Sequence, residues 1–106
     1  MKQELKLGTD WKSELKDGFG KFKRFTVSAK LVSPYLMSRT FHAMFPKEKD
    51  YVVVSCYGST ELWINRNEAK RFYLRGAEES DGNESETYLD IVCDIECGLR
   101  FANYYQ

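Results

Sequence analysis

Between Phe25 and Leu31, apolar and polar residues alternate. Phe25, Val27, Ala29 and Leu31 are separated by Thr26, Ser28 and Lys30. A period of two predicts a half-buried strand, here over residues 24–32. Ser33-Pro34 ends it. Ser before Pro suits an N-cap followed by the first helical position, so a helix is predicted from there. Its inner face would carry Leu36, Met37, Phe41 and Met44, and Pro46 lies beyond its end. Tyr51 to Tyr57 is an apolar, β-branched run of strand length, and its unbroken Val52–Val54 predicts cover on both faces. Gly58-Ser59 reads as a turn, and residues 60–64 as the returning strand.

Beyond this point the period lengthens. Asn65 is a candidate cap, with Glu68 at the spacing of a capping box. Ala69, Phe72, Tyr73, Gly76 and Ala77 follow at helical intervals, and then Tyr88, Ile91, Val92, Ile95 and Leu99 form a second apolar stripe. Gly98 is placed to end that helix in the left-handed conformation. The intervening EESDGNE offers turn chemistry and the caps Ser80, Asp81 and Asn83, and its shortness predicts antiparallel helices. Leu7, Trp11 and Leu15 fall at i, i+4, i+8, so residues 1–18 read as a short amphipathic helix or as a loosely docked arm. The aromatic tail RFANYYQ either docks on the core or adds an edge strand. The predicted fold is α+β: a small antiparallel sheet of residues 24–32, 51–57 and 60–64, covered on one face by the C-terminal helical hairpin.

Composition adds limits. A chain of 106 residues predicts one domain, and 42% apolar with 15% aromatic residues is a folding composition. No apolar run reaches membrane-spanning length and the first dozen residues hold no apolar leader, so a cytoplasmic protein without a membrane partner is expected. Three cysteines make a poor disulfide framework, and all three are expected to be reduced. The net charge of zero hides an imbalance: residues 1–50 carry eleven Lys/Arg and six Asp/Glu, whereas residues 51–106 carry five and ten. The halves either attract each other within the fold or form two patches with different partners.

Candidate chemistry is sparse. Glu86, Asp90 and Asp94 at i, i+4, i+8 line one side of the second hairpin helix, and Glu79 and Asp81 precede them. Such a row is a solvated face, or a ridge that binds a basic surface or mimics the phosphates of a nucleic acid. A catalytic carboxylate pair would need an apolar pocket, which nothing in the sequence implies. Cys93 and Cys97 share a helix side close to the apolar stripe and read as small core residues. With Cys56 and His42 they lack the short knuckles of a zinc site, so no metal or cofactor is expected. His42 has no nucleophile motif around it, and no phosphate-binding glycine loop is present, so no catalytic residue is assigned. In FGKFKRF, Lys21, Lys23 and Arg24 suit phosphates, with Phe19 or Phe22 stacking on a base. A strand entrance guarded by lysines explains the same letters, and a pI of 6.6 is low for a nucleic-acid binder.

Glu68-Ala69, Phe72-Tyr73, the loop from Asp81 to Glu86, Tyr88, Ile91 and Gly98 resemble a pattern in small proteins of phages, plasmids and integrative elements of Gram-positive bacteria. That likeness covers about a third of the chain and consists of caps and core positions. Some proteins of these elements resemble inhibitors of host defence, including anti-CRISPR proteins. Together with the chain's size, the missing catalytic motifs and the acidic helix, the resemblance leads to the expectation of a non-enzymatic module that occludes a host protein, one that handles nucleic acid among the options. The alternative from the residues is a small nucleic-acid-binding regulator that uses segment 19–25.

Overall fold

The computed structural model describes residues 3–104. The elements are β1 (Glu4–Lys6), α1 (Trp11–Gly18), β2 (Arg24–Ser28), α2 (Pro34–Met44), β3 (Val52–Cys56), β4 (Ser59–Trp63), α3 (Arg66–Glu79), α4 (Gly82–Glu96) and β5 (Phe101–Tyr104). The α+β class agrees with the sequence. The sheet, however, is mixed and five-stranded, in the order β1-β2-β4-β3-β5, not a three-stranded antiparallel one. Three antiparallel strands form its centre, and a parallel strand is added at each edge.

The edge strands explain the discrepancy. β1 is three residues long with one apolar side chain, so its own letters carry no period; it forms because its main chain pairs with β2. Parallel pairing needs a crossover, and the segment containing α1 supplies it. Of residues 1–18, expected as a helix or an arm, only Trp11–Gly18 are helical, with Trp11 and Leu15 buried. Glu4–Lys6 form a strand, Leu7 precedes the helix, and residues 1–2 lie outside the described residues. β5 realises the edge-strand option for Phe101–Tyr104 of the tail; Tyr105 and Gln106 lie outside the described residues.

Local signals set most boundaries. The Ser33 hydroxyl accepts from the Leu36 amide at 3.1 Å and caps α2. Asn65 Oδ1 accepts from the Glu68 amide at 3.1 Å and caps α3. The reciprocal half of the capping box is replaced, because the Glu68 carboxylate pairs with Lys23 at 3.4 Å instead. α4 ends in a Schellman motif: Gly98 has φ +89°, its amide donates to Ile95 at 3.1 Å, and that of Leu99 donates to Asp94 at 3.1 Å. The β3–β4 turn lies one residue earlier than expected. Tyr57 and Gly58 both have positive φ, at 50° and 80°, which is the type I′ pattern that matches strand twist. β2 is shorter than its alternation suggested. The Leu31 amide donates to the Ser28 carbonyl at 2.9 Å, so the chain turns there and leaves Leu31 exposed.

Helices cover both faces of the sheet. On one face, Trp11 and Leu15 of α1 and Met37 and Phe41 of α2 pack on Phe25, Val27, Val53 and Leu62. On the other, Ala69 and Tyr73 of α3 and Ile91, Val92 and Ile95 of α4 pack on Val52, Val54, Cys56 and Trp63. β3 is therefore buried at every position, as the unbroken valine run requires. Each such large apolar side chain contributes about 1.5–3 kcal/mol on burial. Leu36 and Leu99, both expected on inner faces, are instead about half exposed, at 46% and 45%.

α3 and α4 are antiparallel, joined by Ser80 and Asp81 alone. Lys70 pairs with Glu96, the Tyr73 ring stacks on Tyr88, and the Ser85 hydroxyl donates to the Ala77 carbonyl. Gly76 permits this approach, since a Cβ there would meet three atoms of the Tyr88 ring at 3.2 Å. Arg66 locks the far end: its guanidinium donates to the carbonyls of Ile95, Leu99 and Tyr51, at 3.0, 2.7 and 3.1 Å.

Candidate functional site

Alternation along β2 and β4 decides what the site is made of. Phe25, Val27 and Leu62 point into the α1–α2 core, so Arg24, Thr26, Glu61 and Trp63 face the opposite way. On that side α3 and α4 pack over β3 and the end of β4, where Trp63 is buried. The sheet face toward β2 and β1 stays polar, and only half-buried at Arg24, Thr26 and Glu61.

At the border between the covered and polar parts runs a groove of about 450 Å³. One wall is α3, whose Glu68, Arg71, Phe72 and Arg75 stand at i, i+3, i+4, i+7. The other wall and floor come from Gln3, Lys23 and Arg24, with Trp63 beneath. Four cations and one carboxylate thus line it. Arg24 lies against two rings, 4.9 Å from the centre of Trp63 and 4.6 Å from that of Phe72.

Beneath the groove lies a closed polar chain. Trp63 Nε1 donates to the Tyr73 hydroxyl at 3.1 Å, and that hydroxyl donates to Glu61 Oε2 at 3.1 Å. The other oxygen, Glu61 Oε1, pairs with Arg24 at 3.2 Å, and Arg24 also pairs with Glu4. Burial pushes the Glu61 carboxyl above its ordinary range. Arg24 and the Tyr73 hydrogen bond pull it back, and Glu4 adds to the rise. Burial, and then the negative Glu61, hold the Tyr73 phenol well above its usual value, so it acts as a fixed donor. Arg24 is spent on its two carboxylates. Arg71 and Arg75 form no ion pair among the described residues, and the Lys23 side chain, 60% exposed, has only the 3.4 Å contact with Glu68.

The sequence pointed to two sets of residues. Of the basic aromatic segment, Lys23 and Arg24 reach this groove. Lys21 is exposed and is not among the groove's lining residues. Phe19 stacks on Phe45 at 4.0 Å between ring centres, and Phe22 meets Phe25 edge-on, so both pack against the core. Arg71, Phe72 and Arg75 were missed. Their spacing with Glu68 is a readable second stripe on α3, but nothing local says that it faces the start of β2.

The acids occupy the outer side of the helical layer. Glu79, Asp81, Glu86 and Asp90 are exposed and Asp94 is half-buried. None pairs with a cation among the described residues. Partial burial and then neighbouring Asp90 push the Asp94 carboxyl upward. Cys93 and Cys97 are exposed beside this row, which corrects their expected core position: α4 buries Thr87, Ile91, Val92 and Ile95 instead. Cys56 is buried, and burial followed by Glu61 raises its thiol to about 11. His42 is exposed on α2, across the sheet from α4, and no group of three metal-ligating side chains occurs among the described residues. No helix of the described residues is long and apolar enough to cross a membrane. Comparison with protein-family models, with curated proteins and with solved structures finds no match to this chain.

Proposed function

We propose that the chain acts by binding and not by catalysis, and that the outer face of α4 docks on a basic surface of a host protein, blocking that protein's own anionic ligand. The observation that carries this reading is charge segregation. The two halves of opposite sign could have neutralised each other, yet only Lys23–Glu68, Arg24–Glu61, Arg24–Glu4 and Lys70–Glu96 pair among the described residues. The row Glu86, Asp90 and Asp94, with Glu79 and Asp81 at its start, is left facing outward. Carboxylates held one helical turn apart repel each other; at Asp94 partial burial, and after it neighbouring Asp90, pushes the carboxyl upward. A cationic partner relieves it and is steered to it from a distance.

An inhibitory role for such a module, of the anti-CRISPR type among others, is consistent with the mobile-element resemblance of the α3–α4 segment. The test is capture from a nuclease-treated Gram-positive lysate. The wild type is expected to retain one protein at near-equal stoichiometry, and the triple reversal Glu86→Lys, Asp90→Lys, Asp94→Lys to lose it while its circular dichroism and melting stay unchanged. Retention by the folded triple variant overturns the acidic-face reading.

A further inference from the structure

The groove between α3 and the start of β2 lies outside the acidic row and has chemistry of the opposite kind. We infer that it is a binding site for single-stranded nucleic acid, with the phosphates held by Arg71, Arg75 and Lys23 and one base stacked at Phe72. This is independent of the acidic-face reading and rests on different residues.

Three observations lead to that ligand. The first is the state of the cations. Arg24 is fully engaged by Glu4 and Glu61, but Arg71 and Arg75 are exposed and without ion pairs among the described residues. They stand one turn apart on α3, about 6 Å along its surface, and point into the same groove. Lys23 faces them across it and can exchange its 3.4 Å contact with Glu68 for a phosphate oxygen. Guanidinium pairs on a fixed scaffold suit phosphate because they present planar, bidentate donors.

The second is the ring among those cations. Phe72 is 43% exposed although it rests on Trp63, Tyr73 and Arg24. An exposed phenyl held by three neighbours is a rigid apolar surface that loses little freedom on binding. Bases stack on such a surface, and stacking is worth about 1–3 kcal/mol per base. An acidic peptide would use the arginines and leave the ring without a role.

The third is shape. The groove is recessed between a helix and a sheet face, with a volume of about 450 Å³, which suits an unstacked nucleotide and not a paired duplex. A strand can continue across the polar face of β2 and β4, past Thr26. The limited number of free cations also sets the salt response. With two or three phosphates neutralised, log affinity falls against log salt with a slope of about −1.4 to −2.

The experiment is fluorescence anisotropy of the full chain with a labelled single strand of about ten nucleotides, as DNA and as RNA, at low salt. An abasic strand of equal length and an acidic peptide of equal charge are measured beside it. The expected result is binding of the base-bearing strand at least about tenfold tighter than of the abasic strand, in the range one stacked base supplies. Phe72→Leu, which keeps most of the apolar volume, is expected to abolish that difference. Arg71→Ala with Arg75→Ala is expected to weaken both strands. Glu86→Lys with Asp90→Lys leaves the base-dependent difference in place, which separates this site from the acidic face. Equal binding of the abasic strand, preference for the acidic peptide, unchanged binding by the arginine variant, or no binding at low salt each overturns the proposal.

Discussion

The Tyr73 hydroxyl donates to Glu61 at 3.1 Å while accepting from the Trp63 indole at 3.1 Å, so one buried phenol joins α3 to two positions of β4. Neither the indole nor the hydroxyl is left without a partner, in a place where water has little access. Tyr73→Phe keeps the ring and removes both bonds. It is expected to cost about 1–3 kcal/mol, because a buried indole donor is left unsatisfied. Urea denaturation of the two proteins checks this, and equal midpoints with equal slopes would show that the bonds are replaced by others.

Two carboxyls, one in that bond chain and one on α4, make stability depend on pH. Glu61 and Asp94 both have carboxyls raised in the fold, from ordinary values of 4.5 and 3.8. Above those values the folded chain holds protons that the unfolded chain has released, so their contribution is greatest at low pH and is lost as pH rises through the folded values. Relative to Glu61→Gln, the wild type is therefore expected to lose stability as pH rises from about 4 to 7. Denaturation curves across that interval decide it. A difference that stays flat, or grows in favour of the wild type, contradicts the raised Glu61.

The thiols differ in reactivity. Cys93 on α4 and Cys97 at its C-cap are exposed, whereas Cys56 is buried and raised to about 11. The nucleophile is the thiolate, so Cys56 stays inert in the folded chain. A disulfide reagent at neutral pH is expected to consume two thiols quickly and the third only on unfolding. Rapid release of three equivalents from folded protein would place Cys56 at the surface.

Arg66 donates to three carbonyls: one in α4, one in the turn after it, and that of Tyr51, the residue before β3. Arg66→Ala removes all three bonds and is expected to destabilise by about 2–4 kcal/mol, since hydrogen bonds from charged donors are the stronger kind. Hydrogen exchange should locate the loss. Amides of β5 and the end of α4 are expected to exchange faster, with those of β2 unchanged until global unfolding.

What was legible in the chain was local. Ser33-Pro34, Asn65 and Gly98 announced their helix ends because each acts on backbone groups within three or four residues. Val52–Val54 announced a strand covered on both sides. Long-range effects were not legible. β1 exists because β2 offers it an edge. Glu68 carries the spacing of a capping box but is drawn to Lys23, which lies 45 positions earlier and arrives through strand order alone. The groove has the same origin. Its arginines and its lysine come from separate elements, and only the placement of α3 beside β2 makes them one surface.

β5 has a further consequence through its distance along the chain. Phe101 pairs with Val53, 48 positions before it, whereas β3 and β4 are joined by a two-residue turn and α3 and α4 by a two-residue link. Local contacts form quickly and distant ones slowly, so β3 spends the early part of folding with one edge bare. That edge belongs to a run of three valines, the kind of segment that pairs readily with its own copies. The last strand is thus a guard over the stickiest part of the molecule. Any fraying that lifts it re-creates the hazard of the newborn chain, and it is there that aggregation should begin.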